Sequence, residues 1–253
     1  MIPLYDMHCH LSHIANAHEV AGQASELGVT ILDMAVTPAS SLAAREALEG
    51  ASNVRIACGL HPWWIADGSC GDDDVEQAAA LCVHARFVGE VGLDFGGARR
   101  ETAEKQRTAL ARILEACSSS PLEHRVISLH AGRAAGDVLL QLERFDLVSN
   151  AHCIFHWFSG TSDELTRARR AGCLFSVNER MLATGRGREY ARQIPLDKLL
   201  LETDAPRTFG QRSSGKALRN SLECTLARLA ELHGVSRESL ASRIAYTSQD
   251  LLS

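Results

Sequence analysis

A (β/α)8 barrel is the fold that this 253-residue sequence predicts, on three observations. Eight short apolar, β-branched runs alternate with segments whose apolar residues recur three and four apart, the pattern of parallel strands joined by helices. Each run closes on polar residues, as an active-site rim at the carboxyl ends of barrel strands requires. No Gly-rich fingerprint follows the first run, which removes the main support for an open doubly wound sheet.

The first run, Leu4 to His8, ends among Asp6, His8 and His10, and a helical segment, Glu19 to Leu27, follows. Val29 to Val36 and Val54 to Leu60 are the second and third runs, and His61 follows the third. Asp74 to His84 is helical, and Phe87 to Val91 leads to Glu90 and Asp94. After the helical Thr102 to Cys117, Val126 to His130 is the fifth run. Ala134 to Leu142 is helical, Ala151 to His156 is the sixth run, and Ser162 to Ala171 returns to helical spacing. Cys173 to Val177 ends at Asn178, and Leu199 to Asp204 carries Glu202 and Asp204 on what alternation makes one face. No Pro/Ser/Gly-rich linker or charge block interrupts this order, so residues 1–253 read as one barrel domain.

At this length the chain can bury a large core without disulfide or metal staples. The eight cysteines form no CxxC pair and read as reduced, mostly buried thiols of a cytoplasmic protein. No apolar stretch approaches the ~18 residues of a membrane span, and the opening residues lack the basic and apolar regions of a signal peptide. A net charge of −5 gives no global attraction to nucleic acid, so a phosphate ligand would need a local basic patch.

His8 and His10, two residues apart on an extended strand, put two imidazoles on one side, a good half-site for a divalent transition metal. Alone, the pair reads as readily as a hydrogen-bonded strand end. Glu90 lies within an otherwise apolar run, where a carboxylate must be paired or metal-bound. An arginine partner is the competing reading there. His130 could be a satisfied core histidine, but several strands ending in such groups favour a site. His152, two turns of alternation below His156 on the same run, reads as a packing or supporting group.

In combination these residues resemble the TatD family of metal-dependent hydrolases and DNases. The resemblance rests on HxH (His8, His10), GxHP (Gly59 to Pro62), GExGLD (Gly89 to Asp94), His130 with Arg133, HxFSG (His156 to Gly160), ETDAP (Glu202 to Pro206) and a GKxxRN-like segment (Gly215 to Asn220). It implies a barrel holding two divalent ions: His8, His10 and Asp204 on one, His130 and His156 on the other, and Glu90 bridging. A carboxylated lysine bridge, used by some related hydrolases, has no candidate, because none of Lys105, Lys198 and Lys216 ends a run. The donors suit Zn²⁺ or Mn²⁺, with Mg²⁺ preferring more oxygen. The implied activity is hydrolysis of phosphodiesters in DNA, at ends or in single strands, with Asp204 orienting and deprotonating water while His61 and Arg133 hold phosphate or stabilise developing charge.

From Arg207 to Arg219 the chain carries Arg207, Arg212, Lys216 and Arg219 and no acid, a candidate substrate-binding patch, although a solvated loop has the same composition. Trp63, Trp64 and Trp157 could stack on bases. Arg207 stands where the family often has an aromatic residue, Ser221-Leu222 replaces an expected proline, and Thr247-Ser248-Gln249 lacks the usual Asn. Two rival readings keep the same residues: a two-metal hydrolase of a small amide, lactone or phosphoester, and a metal-stabilised, non-catalytic subunit that binds a partner. No membrane association and no obligate protein partner are expected.

Overall fold

In the computed structural model, which describes residues 2–253, every strand pairing is parallel and helices separate the strands. The order is β1 (Leu4–Cys9), α1 (Ala17–Glu26), β2 (Val29–Asp33), α2 (Pro38–Ala47), β3 (Val54–Ile56), α3 (Pro62–Ala66), α4 (Asp72–Val83) and β4 (Phe87–Asp94). It continues with α5 (Ala103–Ser119), β5 (Val126–Gly132), α6 (Ala135–Arg144), α7 (Leu147–Asn150), β6 (His152–His156), α8 (Ser162–Arg170) and β7 (Leu174–Val177). The chain closes with α9 (Glu179–Ala183), α10 (Gly185–Gln193), β8 (Leu199–Leu201), α11 (Gly215–His233) and α12 (Arg237–Leu252). This is the (β/α)8 class expected from the alternation. Among the described residues, no helix is long and apolar enough to cross a membrane.

The chain divides into two compact units, each assembled from separate stretches. Among the described residues, the first comprises 2–34, Ala43–Ile56 and Phe175–Ser253. Here β1 pairs with β2, β2 with β3, and β7 with β8. Beyond β8 the chain runs along β1, with the Asp204 N–H donating to the His8 carbonyl (2.9 Å) and the His10 N–H to that of Ala205 (2.7 Å). All six residues of β1 and all three of β8 are buried, as strands covered on both faces must be. Leu222, Leu226 and Leu229 of α11 and Ile244 of α12 are buried in the same unit. Ser214 caps α11 by accepting from the Ala217 N–H, and Gly234 ends it at φ +64°.

The second unit comprises Ala35–Leu42 and Ala57–Leu174, in which β4 pairs with β5 and β5 with β6. The third apolar run extends past β3 to Leu60, but only Val54–Ile56 is regular strand; Cys58 forms an isolated bridge with Val88. The glycines of two motifs have steric reasons. A Cβ on Gly59 would meet the Gly89 backbone at 2.7 Å, and one on Gly92, at φ +148°, would lie 2.0 Å from the His130 carbonyl oxygen. Close approach of β4 to its neighbours therefore requires both. Arg125, fully buried before β5, donates to the carbonyls of Val83 (2.8 Å), Ala85 (3.1 Å) and Cys117, satisfying acceptors near the ends of α4 and α5. All eight cysteines are free thiols, and all but Cys224 are buried.

Candidate metal centre

In the first unit, one donor atom each from His8, His10 and Asp204 lies within 4.8 Å of the others. The two imidazoles are edge to face, with centroids 5.2 Å apart. His10 Nδ1 lies 2.9 Å from the Met34 carbonyl oxygen, which can only accept, so Nδ1 carries the proton and Nε2 keeps its lone pair. That Nε2 is 3.6 Å from Asp204 Oδ1. Asp204 has φ +52°, which turns its side chain out of strand alternation. Its Oδ2 accepts from Arg180, whose guanidinium also donates to the Asp204 carbonyl at 2.9 Å.

A buried pair of groups holds that turn in place. Asp6 accepts from the Thr203 N–H (2.9 Å) and hydroxyl (2.6 Å), and burial pushes its carboxyl up to about 7. Asn178 accepts from the Met181 N–H to cap α9, which carries Arg180, and donates to Glu202 (2.6 Å); the Ser176 hydroxyl donates to the same carboxylate. Glu202 and Asp204 therefore do not share one face as alternation suggests. The regular strand ends at Leu201, and the left-handed Asp204 sends the two carboxylates to different partners.

In the second unit, three imidazole nitrogens converge on one oxygen of Glu90, itself 1% exposed. His130 Nδ1 is 2.8 Å from Glu90 Oε1, His61 Nε2 is 3.3 Å away and His156 Nε2 3.4 Å. His61 Nδ1 accepts from the Trp63 N–H (3.1 Å) at the start of α3, so the neutral ring presents an N–H at Nε2. That N–H faces Glu90 Oε1. His130 Nε2 lies 3.1 Å from Asp94 Oδ2, which also accepts from Trp63 Nε1 (2.6 Å) and pairs with Arg99 (3.1 Å). Burial alone would lower the His130 pKa, but the bonds to Asp94 and Glu90 outweigh it and raise it. Burial would likewise raise Asp94; the bonds from His130 and Trp63 hold it well below the usual carboxylate range.

Arg133, at φ +53°, is exposed immediately after β5. The basic segment separates by position. Arg207 is exposed and lines a cavity of about 170 Å³ together with Arg180 and Asp204. Arg212 forms an exposed pair with Glu19 at 3.1 Å, and Lys216 is exposed in the first turn of α11. Arg219 departs from the expected patch. It donates to the Leu27 carbonyl (2.6 Å) and pairs with Glu223 (2.9 Å), beside the start of β1 rather than its end. Helical periodicity from Gly215 onward carries it there, so its charge is spent on the fold.

Of the three tryptophans, Trp63 is 42% exposed, with Arg99 over its ring at 4.7 Å; Trp64 and Trp157 are half-buried. Arg180 and Asp94 had no assigned role in the sequence reading, although Asp94 closes the Glu90 run. Phe209 was missed too. It stacks on His13 with centroids 4.0 Å apart and lies 5.6 Å from the His10 ring, so an aromatic group follows the eighth strand two residues beyond Arg207. His152, at the start of β6, stacks on His124.

Each donor set mixes imidazole with carboxylate, and the His10 ring is oriented by a carbonyl so that it offers Nε2; this chemistry fits a divalent transition metal. Residues 5–253 match the family model described as "TatD related DNase". A human protein named deoxyribonuclease TATDN3 is 30% identical over 171 residues, 65% of this chain and 58% of that one. The protein named uncharacterized metal-dependent hydrolase YcfH, from Escherichia coli K12, is 29% identical over 252 residues, 94% and 91% of the two chains. The crystal structure of YJJV, a TatD homologue from E. coli K12, superposes with a TM-score of 0.81 at 26% identity, covering 99% of this chain and 98% of that one.

Proposed function

The chain belongs to the TatD family, and from that premise we propose that it is a divalent-metal-dependent phosphodiesterase acting on DNA, at ends or in single strands. The observation that carries this reading is the set His8, His10 and Asp204, whose donor atoms gather within 4.8 Å on the residues that the family motifs single out. Divalent metal use follows from the family and the donor chemistry. The finer reading is two ions, Zn²⁺, Mn²⁺ or Mg²⁺: one on His8, His10 and Asp204, one on His130 and His156, with Glu90 as the shared ligand. One family match runs across both units, which supports reading residues 5–253 as one functional domain.

Bound ions would supply a water acidic enough to attack at neutral pH and would polarise the phosphoryl oxygens. The side chains do the rest. Asp204, fixed by its own N–H on the His8 carbonyl, receives the proton of the attacking water. Glu90 holds His61, His130 and His156 around one carboxylate oxygen, and the His61 Nε2 proton that faces this oxygen would turn to charge developing on phosphate once a cation took up the carboxylate. Arg207, Arg212 and Lys216 form the electrostatic track for a phosphate backbone, from which Arg219 is left out because it bonds Leu27 and Glu223, and Arg133 acts with His61 on phosphate. Free cysteines throughout support a cytoplasmic compartment. The direct test is chelation followed by re-addition of single ions, with labelled oligonucleotides as substrate. Activity that vanishes and returns with a divalent ion supports the reading; salt-insensitive turnover of a small ester with no DNA cleavage favours the small-ester rival.

A further inference from the structure

Arg180 belongs to none of the sequence motifs, yet it bonds the carboxylate of Asp204 and lines the cavity beside it. The wall is built from Glu179 and Arg180 after β7, Asp204 and Arg207 after β8, and Ser213 and Ser221 around the first turns of α11. At about 170 Å³ the cavity is smaller than the ~300 Å³ lower bound for enclosing a drug-sized ligand, so it suits a single group. Both acids in the wall are engaged: Asp204 accepts from Arg180, and Glu179 accepts from the Ser221 hydroxyl at 2.9 Å. Arg180 and the Ser221 hydroxyl are engaged by those same bonds, so Arg207 and the positive end of a 19-residue helix face a ligand at once, and Arg180 joins them when it leaves Asp204. That combination recognises phosphate, since a guanidinium grips phosphate with the same fork it uses on a carboxylate.

We propose that Arg180 and Arg207 form a phosphate subsite in which Arg180 exchanges partners. While Asp204 carries its charge alone, Arg180 neutralises it; once a divalent cation takes up that charge, the guanidinium turns to the phosphate of a nucleotide lodged in the cavity. This rests on the metal role of Asp204 proposed above. It also gives Arg180 two effects of opposite sign. A fixed cation on a ligand oxygen repels the metal, so its removal tightens metal binding, and the same removal strips the phosphate of a partner. A residue that merely held the loop in shape would weaken both on removal.

The test measures Mn²⁺ binding from the free-ion paramagnetic signal and binding of deoxyadenosine 5′-monophosphate by calorimetry at saturating Mn²⁺. Arg180→Met is expected to bind Mn²⁺ about fivefold more tightly and the nucleotide about tenfold more weakly. Arg180→Lys, which keeps the charge but not the fork, should fall between wild type and Arg180→Met in both measurements. Arg207→Met should weaken the nucleotide alone, which keeps the subsite testable if Arg180→Met folds poorly. Wild-type protein that binds Mn²⁺ while Arg180→Met retains full nucleotide affinity overturns the subsite and leaves the metal centre standing. Wild-type protein that binds no Mn²⁺ overturns the metal reading itself.

Discussion

The two donor sets are built from the same side-chain types but in opposite protonic states. Around Asp204 a backbone carbonyl fixes the His10 proton on Nδ1, and the facing charge comes from Arg180, which carries no donor that a metal could use. Around Glu90 the facing groups are imidazoles, and His130 has both nitrogens against carboxylates, with its pKa raised by that pairing. The first set resembles a metal site whose lone pairs are already presented; the second is a charge-paired network from which a cation must displace protons. The lesson is that an imidazole–carboxylate cluster is defined as a metal site by where its protons sit, and neighbours such as Met34 and Asp94 decide that.

Substitutions can break this comparison, from the largest effect to the smallest. Asp204→Asn should reduce DNA hydrolysis about a thousandfold while the thermal midpoint shifts by only a few degrees, because the turn is held mainly by Asp6, Thr203 and the Asp204 N–H. Hydrolysis kept within tenfold of wild type would remove Asp204 from the chemistry. Glu90→Gln should lower the metal content of purified protein from about two ions to one or fewer. Two full equivalents in that variant would show that Glu90 is no ligand.

A third prediction probes pH. Asp33 is fully buried with Oδ2 lacking a hydrogen-bond partner, and burial raises its carboxyl to about 6 although Oδ1 accepts from the Ser12 N–H at 2.9 Å. A carboxyl raised in the folded state favours folding while protonated, so its stabilisation is complete below the unfolded value near 3.8 and is lost as pH rises through about 6. Asp33→Asn should cancel that loss, gaining up to about 3 kcal/mol relative to wild type between pH 4 and pH 7 in denaturant titrations. An unchanged difference across that range would contradict it. The smallest effect is expected from Arg219→Met: kcat/KM for oligonucleotides within about twofold of wild type, with about 1 kcal/mol lost from stability through its bonds to Leu27 and Glu223. A tenfold loss of kcat/KM without loss of stability would return Arg219 to the substrate track.

What could be read in advance follows from how local its cause is. The two-residue spacing of His8 and His10 keeps their rings 5.2 Å apart although the regular strand stops at Cys9, and Gly59 and Gly92 occupy positions where a side chain would strike the neighbouring backbone. Both causes act over a few residues and leave a pattern in the sequence. The eighth strand misled alternation because its regular part stops at Leu201, and the conformation of Asp204 is fixed by bonds from β1 and Arg180. Those partners are remote in the chain, so the local pattern carries no trace of them. Arg180 was invisible for a related reason: α9 is five residues long, too short for periodicity, and Asn178 begins it through a cap that also anchors Glu202. Arg219 looked like part of a basic loop until the start of α11 at Gly215 turned it toward Leu27.

Anomalous diffraction from crystals of untreated protein, recorded on either side of the absorption edges of zinc and manganese, tests the central claim most directly. Two peaks are expected, one among His8, His10 and Asp204 and one beside Glu90, His130 and His156. Crystals from fully active, chelator-insensitive protein that give no peak at either set would contradict it.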